Sequence, residues 1–154
     1  MKRIFLVFLL IVNIKVFSQQ EKIQAVRNLI LNERPDLDLG HKLIFISSWS
    51  VNDQSSRGFN KELARTVRVY GQAKLKGGRR GLCGILIDET DDVSMARIVA
   101  EKDGFTNLYI SDISRSKIDY SFTKNILVDG NGTILAKDLN ESEVYTIIQS
   151  QLTR

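Results

Sequence analysis

Two short, unbroken apolar runs, Leu43-Ile44-Phe45-Ile46 and Leu82-Cys83-Gly84-Ile85-Leu86-Ile87, do most to limit what this chain can fold into. A run without polar alternation has no solvent face, so each reads as a strand covered on both sides. Such a sheet needs helices above and below it. The sequence places helical patterns around the runs. Ile23, Val26, Leu29 and Ile30 recur at helical spacing in a segment that ends near residues 32–34, ahead of Pro35. After the first strand a loop is expected through Ser47 to Asp53. A helix then runs to about Tyr70, with Phe59, Leu63, Val67 and Tyr70 on one face. Asp91-Asp92 set negative charge at the start of a third helix, where the macrodipole favours it. Its expected buried face is Val93, Ala96 and Val99, and Gly104 stops it.

The carboxyl-terminal third changes pattern. Asn107 to Ile110 reads as a short strand. Asn125-Ile126-Leu127-Val128 and Thr133-Ile134-Leu135-Ala136 flank Asp129-Gly130-Asn131-Gly132, whose Asp-Gly and Asn-Gly pairs permit the positive φ of a hairpin turn. Asn140 and Glu143 have capping-box spacing, and Val144, Ile147, Ile148 and Leu152 form the stripe of a closing helix. Helices alternating with strands, then a hairpin, predict an α/β sandwich: parallel strands joined by crossover helices, with an antiparallel edge.

The single cysteine, Cys83, excludes an intrachain disulfide, and with His41 as the only histidine these two are the whole ligand supply for a Cys/His zinc site, which nearly excludes one. The formal charge of +4 is concentrated at the start. Lys2-Arg3 precede the apolar run Ile4 to Val12, and Val16 and Ser18 fit the recognition positions of a cleavage site, the pattern of a secretory signal peptide. The run is short of the roughly 20 residues that span a bilayer. An uncleaved anchor and an ordinary buried helix or strand are the alternatives. Removal of residues 1–18 takes three basic residues and no acidic one, leaving 19 basic against 18 acidic. No repeat, linker or second composition regime follows, so one domain is expected.

The order and spacing of three segments resemble the thioredoxin fold: the strand into Ser48-Trp49-Ser50, the strand Gly81 to Asp88, and the hairpin Ile126-Leu127-Val128-Asp129-Gly130-Asn131-Gly132-Thr133-Ile134. In particular they resemble exported thiol-disulfide oxidoreductases of the TlpA/ResA type. The resemblance implies a three-layer α/β/α sandwich with a central mixed sheet. It divides the chain into a signal peptide at 1–18, an amino-terminal helical extension at 19–37 and a thioredoxin-like domain at 38–154. In that family the strand exit leads into Trp-x-x-x-Cys-x-x-Cys. Placing Trp49 on the family tryptophan puts Asp53 and Ser56 at the two cysteine positions, and the family's cis-proline falls on Thr123. Exchange chemistry requires a low-pKa thiolate and a resolving thiol, which these residues do not provide. Asp53 is expected to cap the following helix. The surface formed by Trp49, Asp53, Ser55 and Ser56 is the candidate for binding without chemistry.

The expected function is therefore a redox-inactive binding module with no cofactor, exported to the periplasm or secreted, meeting an unknown protein or peptide partner in the cell envelope. Thiol-disulfide exchange through a mixed disulfide at Cys83 is the alternative, although that thiol is expected to be buried in its strand. Neither nucleic acid nor a membrane span after leader cleavage is expected. A basic stretch, Arg65, Arg68, Lys74, Lys76, Arg79 and Arg80, reads as a solvated helix end or an anion patch, and no acidic residue lies between Glu62 and Asp88. The acids Asp88, Glu89, Asp91 and Asp92 read as helix-start residues rather than a metal site, and a hydrolase built on them lacks a nucleophile and base pair. His41 reads as a surface loop residue.

Overall fold

The computed structural model describes residues 19–113 and 124–153. The leader at 1–18 and Thr123 lie outside them. α1 covers residues 19–33. The remaining elements are β1 (Leu43–Trp49), α2 (Gln54–Tyr70), β2 (Leu82–Asp88), α3 (Val93–Asp103), β3 (Tyr109–Ile110), β4 (Asn125–Val128), β5 (Ile134–Ala136) and α4 (Glu141–Gln151). The strands form one mixed sheet in the order β3-β2-β1-β4-β5. β1 runs parallel to β2 and β2 to β3, while β4 is antiparallel to both β1 and β5.

β1 is central, and all seven of its residues are buried. Alternation along it sends Leu43, Phe45 and Trp49 to one face and Ile44 and Ile46 to the other. Phe59, Leu63 and Ala64 of α2, Ala96 and Ala100 of α3, and Val144 and Ile148 of α4 cover the first face. Each large apolar side chain buried there contributes about 1.5–3 kcal/mol. α1 covers the second face with Ile23, Val26 and Ile30, none more than 1% exposed. The segment expected as an extension ahead of the domain is thus the third layer of the sandwich.

β1 runs three residues further than the apolar run, through Ser47 and Ser48 to Trp49, and this corrects the expected loop. The two serines are tolerated inside because their hydroxyls are bonded, Ser47 to the Asn125 Oδ1 at 2.9 Å and Ser48 to the Glu89 Oε1 at 2.9 Å. α3 buries Ala96 and Ala100 most deeply, with Val93 and Val99 half-buried beside them. The hairpin forms as expected: Asp129 Oδ1 accepts from the backbone N–H groups of Asn131 and Thr133, each at 2.9 Å, and Gly132 takes a φ of 81°. The capping box at Asn140 and Glu143 is also present.

Candidate functional site

Where β1 ends, a short turn reverses the chain into α2. The Asp53 N–H donates to the Ser50 carbonyl at 3.1 Å. The Asp53 carboxylate accepts from the Ser55 N–H at 3.0 Å, satisfying one orphan donor of the helix start. The Ser56 hydroxyl lies 3.2 Å from the Ser50 carbonyl and 3.0 Å from the Asp53 carbonyl. Asp53 and Ser56, the two residues expected at the family's cysteine positions, carry oxygens, and those oxygens close the turn.

A cleft of about 200 Å³ opens beside this turn, lined by Ser48, Asp53, Ser55, Ser56, Phe59, Lys124, Asn125, Leu139, Asn140 and Glu141. The amino ends of α2 and α4 meet there. Asn125 forms its inner wall, its amide donating to the Leu139 carbonyl at 2.9 Å and its Oδ1 accepting from Ser47. Asn60 lies behind that wall, fully buried, with its Nδ2 lacking a partner among the described residues. Three of the four residues expected to offer a binding surface, Asp53, Ser55 and Ser56, line the cleft.

Trp49 does not, and this corrects the expectation. It is fully buried, packed edge-on against Phe105 with ring centroids 5.4 Å apart. Strand alternation explains it: Trp49 falls on the same face as Phe45, inside the α2–α3 layer. The α4 contributors Asn140 and Glu141 were invisible as site residues, because only the fold brings residue 140 beside residue 53. Their capping box was the one available signal.

Cys83 lies at the other end of the sheet. It pairs with Ile44, five residues before Trp49 on β1, roughly 16 Å away along the strand. Expected to be buried, it is half-buried, and it lines a different hollow with Arg34, Leu37 and Tyr109. Burial pushes its thiol above the ordinary range, against a smaller downward pull from Lys42 and Arg34. That hollow is bounded by Tyr109, whose hydroxyl donates to the Glu33 carboxylate at 2.6 Å under the Arg34 guanidinium.

The acidic run is structural in part. Asp92 caps α3 through the Met95 N–H at 3.0 Å, and the buried Asp88 accepts from Thr90 and from the Asp92 backbone. Among the described residues no cluster of three metal-ligating side chains exists. His41 is exposed, its Nδ1 3.0 Å from Asp38. The basic stretch is divided: Arg65 pairs with Glu62 and Arg79 with Asp129, and Lys76 donates to the Ser150 carbonyl.

A mixed sheet whose central strand delivers a helix start to its tip, beside an antiparallel hairpin, defines the thioredoxin-like α/β proteins. Solved structures agree with that class. A thioredoxin domain of a thiol-disulfide oxidoreductase from Bacteroides vulgatus matches over 73% of this chain and 81% of its own, with a TM-score of 0.59 and 18% identity. The C-terminal domain of a putative thiol-disulfide oxidoreductase from Bacteroides thetaiotaomicron matches over 72% of this chain and 77% of its own, at 0.55 and 22%. A secreted Mycobacterium tuberculosis disulfide oxidoreductase matches over 73% and 84%, at 0.54 and 10%. No protein-family model matches the chain, and no curated protein does. The chain has the thioredoxin-like fold. Among the described residues no helix is long and apolar enough to cross a membrane.

Proposed function

We propose that this chain is an exported thioredoxin-like protein that binds a protein or peptide partner at the cleft between α2 and α4 and carries out no thiol-disulfide exchange. The observation that carries this reading is the start of α2, where Asp53 and Ser56 are committed to closing the turn. The one thiol supports it, since Cys83 sits at the far end of the sheet and burial disfavours its thiolate. Export rests on the charged start and apolar run of residues 1–18. The cleft sets the polar Ser48 and Asn125 beside the apolar Phe59 and Leu139, a mixed lining that can take a polar group and an apolar side chain of a partner together. The test is insulin reduction with dithiothreitol as the reductant. The expected result is no acceleration over dithiothreitol alone, and turnover that disappears in Cys83→Ala would overturn the reading.

A further inference from the structure

The end of α2 remote from the cleft gathers positive charge that no carboxylate among the described residues matches in full. Of the six basic residues between Glu62 and Asp88, three are engaged: Arg65 with Glu62 at 3.3 Å, Lys76 with the Ser150 carbonyl at 2.6 Å and Arg79 with Asp129 at 3.1 Å. Arg68, Lys74 and Arg80 are exposed, and none of them pairs with a carboxylate among the described residues.

Their placement is unfavourable for folding alone. Lys74 and Arg80 oppose each other in an antiparallel bridge, where like charges destabilise. Arg65 and Arg68 lie three apart on α2, where like charges also repel. Tight backbone contact holds the cluster together. The Gly81 N–H donates to the Ala73 carbonyl at 2.9 Å, and a Cβ at Gly81 would stand 2.2 Å from the Gly71 carbonyl oxygen. Arg68, in the last turn before Gly71, therefore shares one end of the molecule with the Lys74–Arg80 bridge. Val69, next to Arg68 in the chain, is 66% exposed. Cations without a carboxylate partner among the described residues, beside an exposed apolar side chain, match a surface of anionic headgroups over hydrocarbon. A soluble polyanion would satisfy the cations and leave Val69 without a partner.

We propose that the carboxyl end of α2 and the adjoining 74–80 turn form a peripheral docking surface for an anionic phospholipid membrane, with Arg68, Lys74 and Arg80 contacting headgroups and Val69 entering the interface. α2 has 17 residues, so it is about 25 Å long. The cleft lies at its opposite end, and docking in this way leaves the cleft facing away from the bilayer, open to a partner.

The test uses the purified protein in the form in which it accumulates on expression. It is sedimented with phosphatidylcholine vesicles, or with vesicles containing about 30% phosphatidylglycerol, at about 0.05 M and about 0.5 M salt. The expected result is binding to the anionic vesicles only, reversed by the higher salt. Neutralising the three cations in R68Q/K74Q/R80Q is expected to weaken it roughly a hundredfold, at about tenfold or less per charge. Val69→Ser weakens it several-fold, while K102Q/K137Q, two exposed lysines elsewhere, leaves it within about twofold. All six positions are exposed, and circular dichroism verifies the fold of each variant. Four results would overturn the proposal: no binding to anionic vesicles, equal binding by the triple variant, an equal loss in K102Q/K137Q, or retention on heparin through the three cations without vesicle binding.

Discussion

If the start of α2 lacks only its two thiols, whatever stands in place of the family's proline at Thr123, then Asp53→Cys with Ser56→Cys should recreate a redox-responsive helix start. The substitution removes the Asp53 cap on the Ser55 N–H and the Ser56 hydroxyl bonds to the turn carbonyls. Losing the cap costs about 1 kcal/mol, and the hydroxyl bonds are worth about another 1 kcal/mol. The reduced double variant should therefore be about 2 kcal/mol less stable than wild type. A disulfide closing so short a loop restricts the unfolded chain by about 2 kcal/mol, so oxidation should return stability to near the wild-type level. In thermal melts that is a difference of about 8 °C between reduced and oxidised variant. The thiol at position 53 would stand at the amino end of a 17-residue helix and should titrate below the ordinary value of about 8.5, measured by iodoacetamide alkylation against pH. A thiol at 53 titrating at or above that value, or a pair that stays reduced under a mild oxidant, would refute the reasoning that the helix start is intact and only the thiols are missing.

Three further outcomes are expected. Gly130→Ala should destabilise by about 3 kcal/mol or more in urea denaturation, because its Cβ would stand 2.0 Å from the Gly40 carbonyl oxygen, backbone against backbone. The Arg57 guanidinium donates two hydrogen bonds to Asp103, at 2.6 and 2.9 Å, and holds that carboxyl below the usual range, ahead of the opposing effect of burial. A carboxyl depressed by folding adds stability above its unfolded pKa of about 4 and loses it as pH falls through the lower folded value. Asp103→Asn should therefore flatten the acid limb of the stability profile below about pH 4. Cys83, half-buried with its thiol pushed upward, should react with a thiol reagent at pH 8 more slowly than a free cysteine, and at the free rate once unfolded.

Most of the fold was legible because strand and helix patterns depend on which neighbours in sequence are apolar. Ile23, Val26 and Ile30 marked α1, and the Asp-Gly and Asn-Gly pairs marked the hairpin. The reach of β1 was not legible, because Ser47 and Ser48 look like loop residues until Asn125 and Glu89 arrive from distant segments to bond them. The same cause hid most of the candidate site. Asp53, Ser55 and Ser56 were identifiable from their place after Trp49, whereas Asn140 and Glu141 reach the cleft only through the packing of α4 on α2. Trp49 erred in the other direction: an aromatic residue at a strand exit looks available for binding, and its burial depends on Phe105, more than fifty residues away.

Sequence by itself determined that this chain builds an α/β sandwich and has no dithiol, since both follow from residue identity and local periodicity. It also determined that basic residues run unbroken by acids from Arg65 to Arg80. Tertiary structure decided which of those cations are neutralised, because Asp129 reaches Arg79 across the fold while no described carboxylate reaches Arg68, Lys74 or Arg80. It also set the cleft and this charged end at opposite ends of α2, and made α1 a layer of the core. Burial and charge pairing are sums over neighbours in space, and only the folded chain brings those neighbours together.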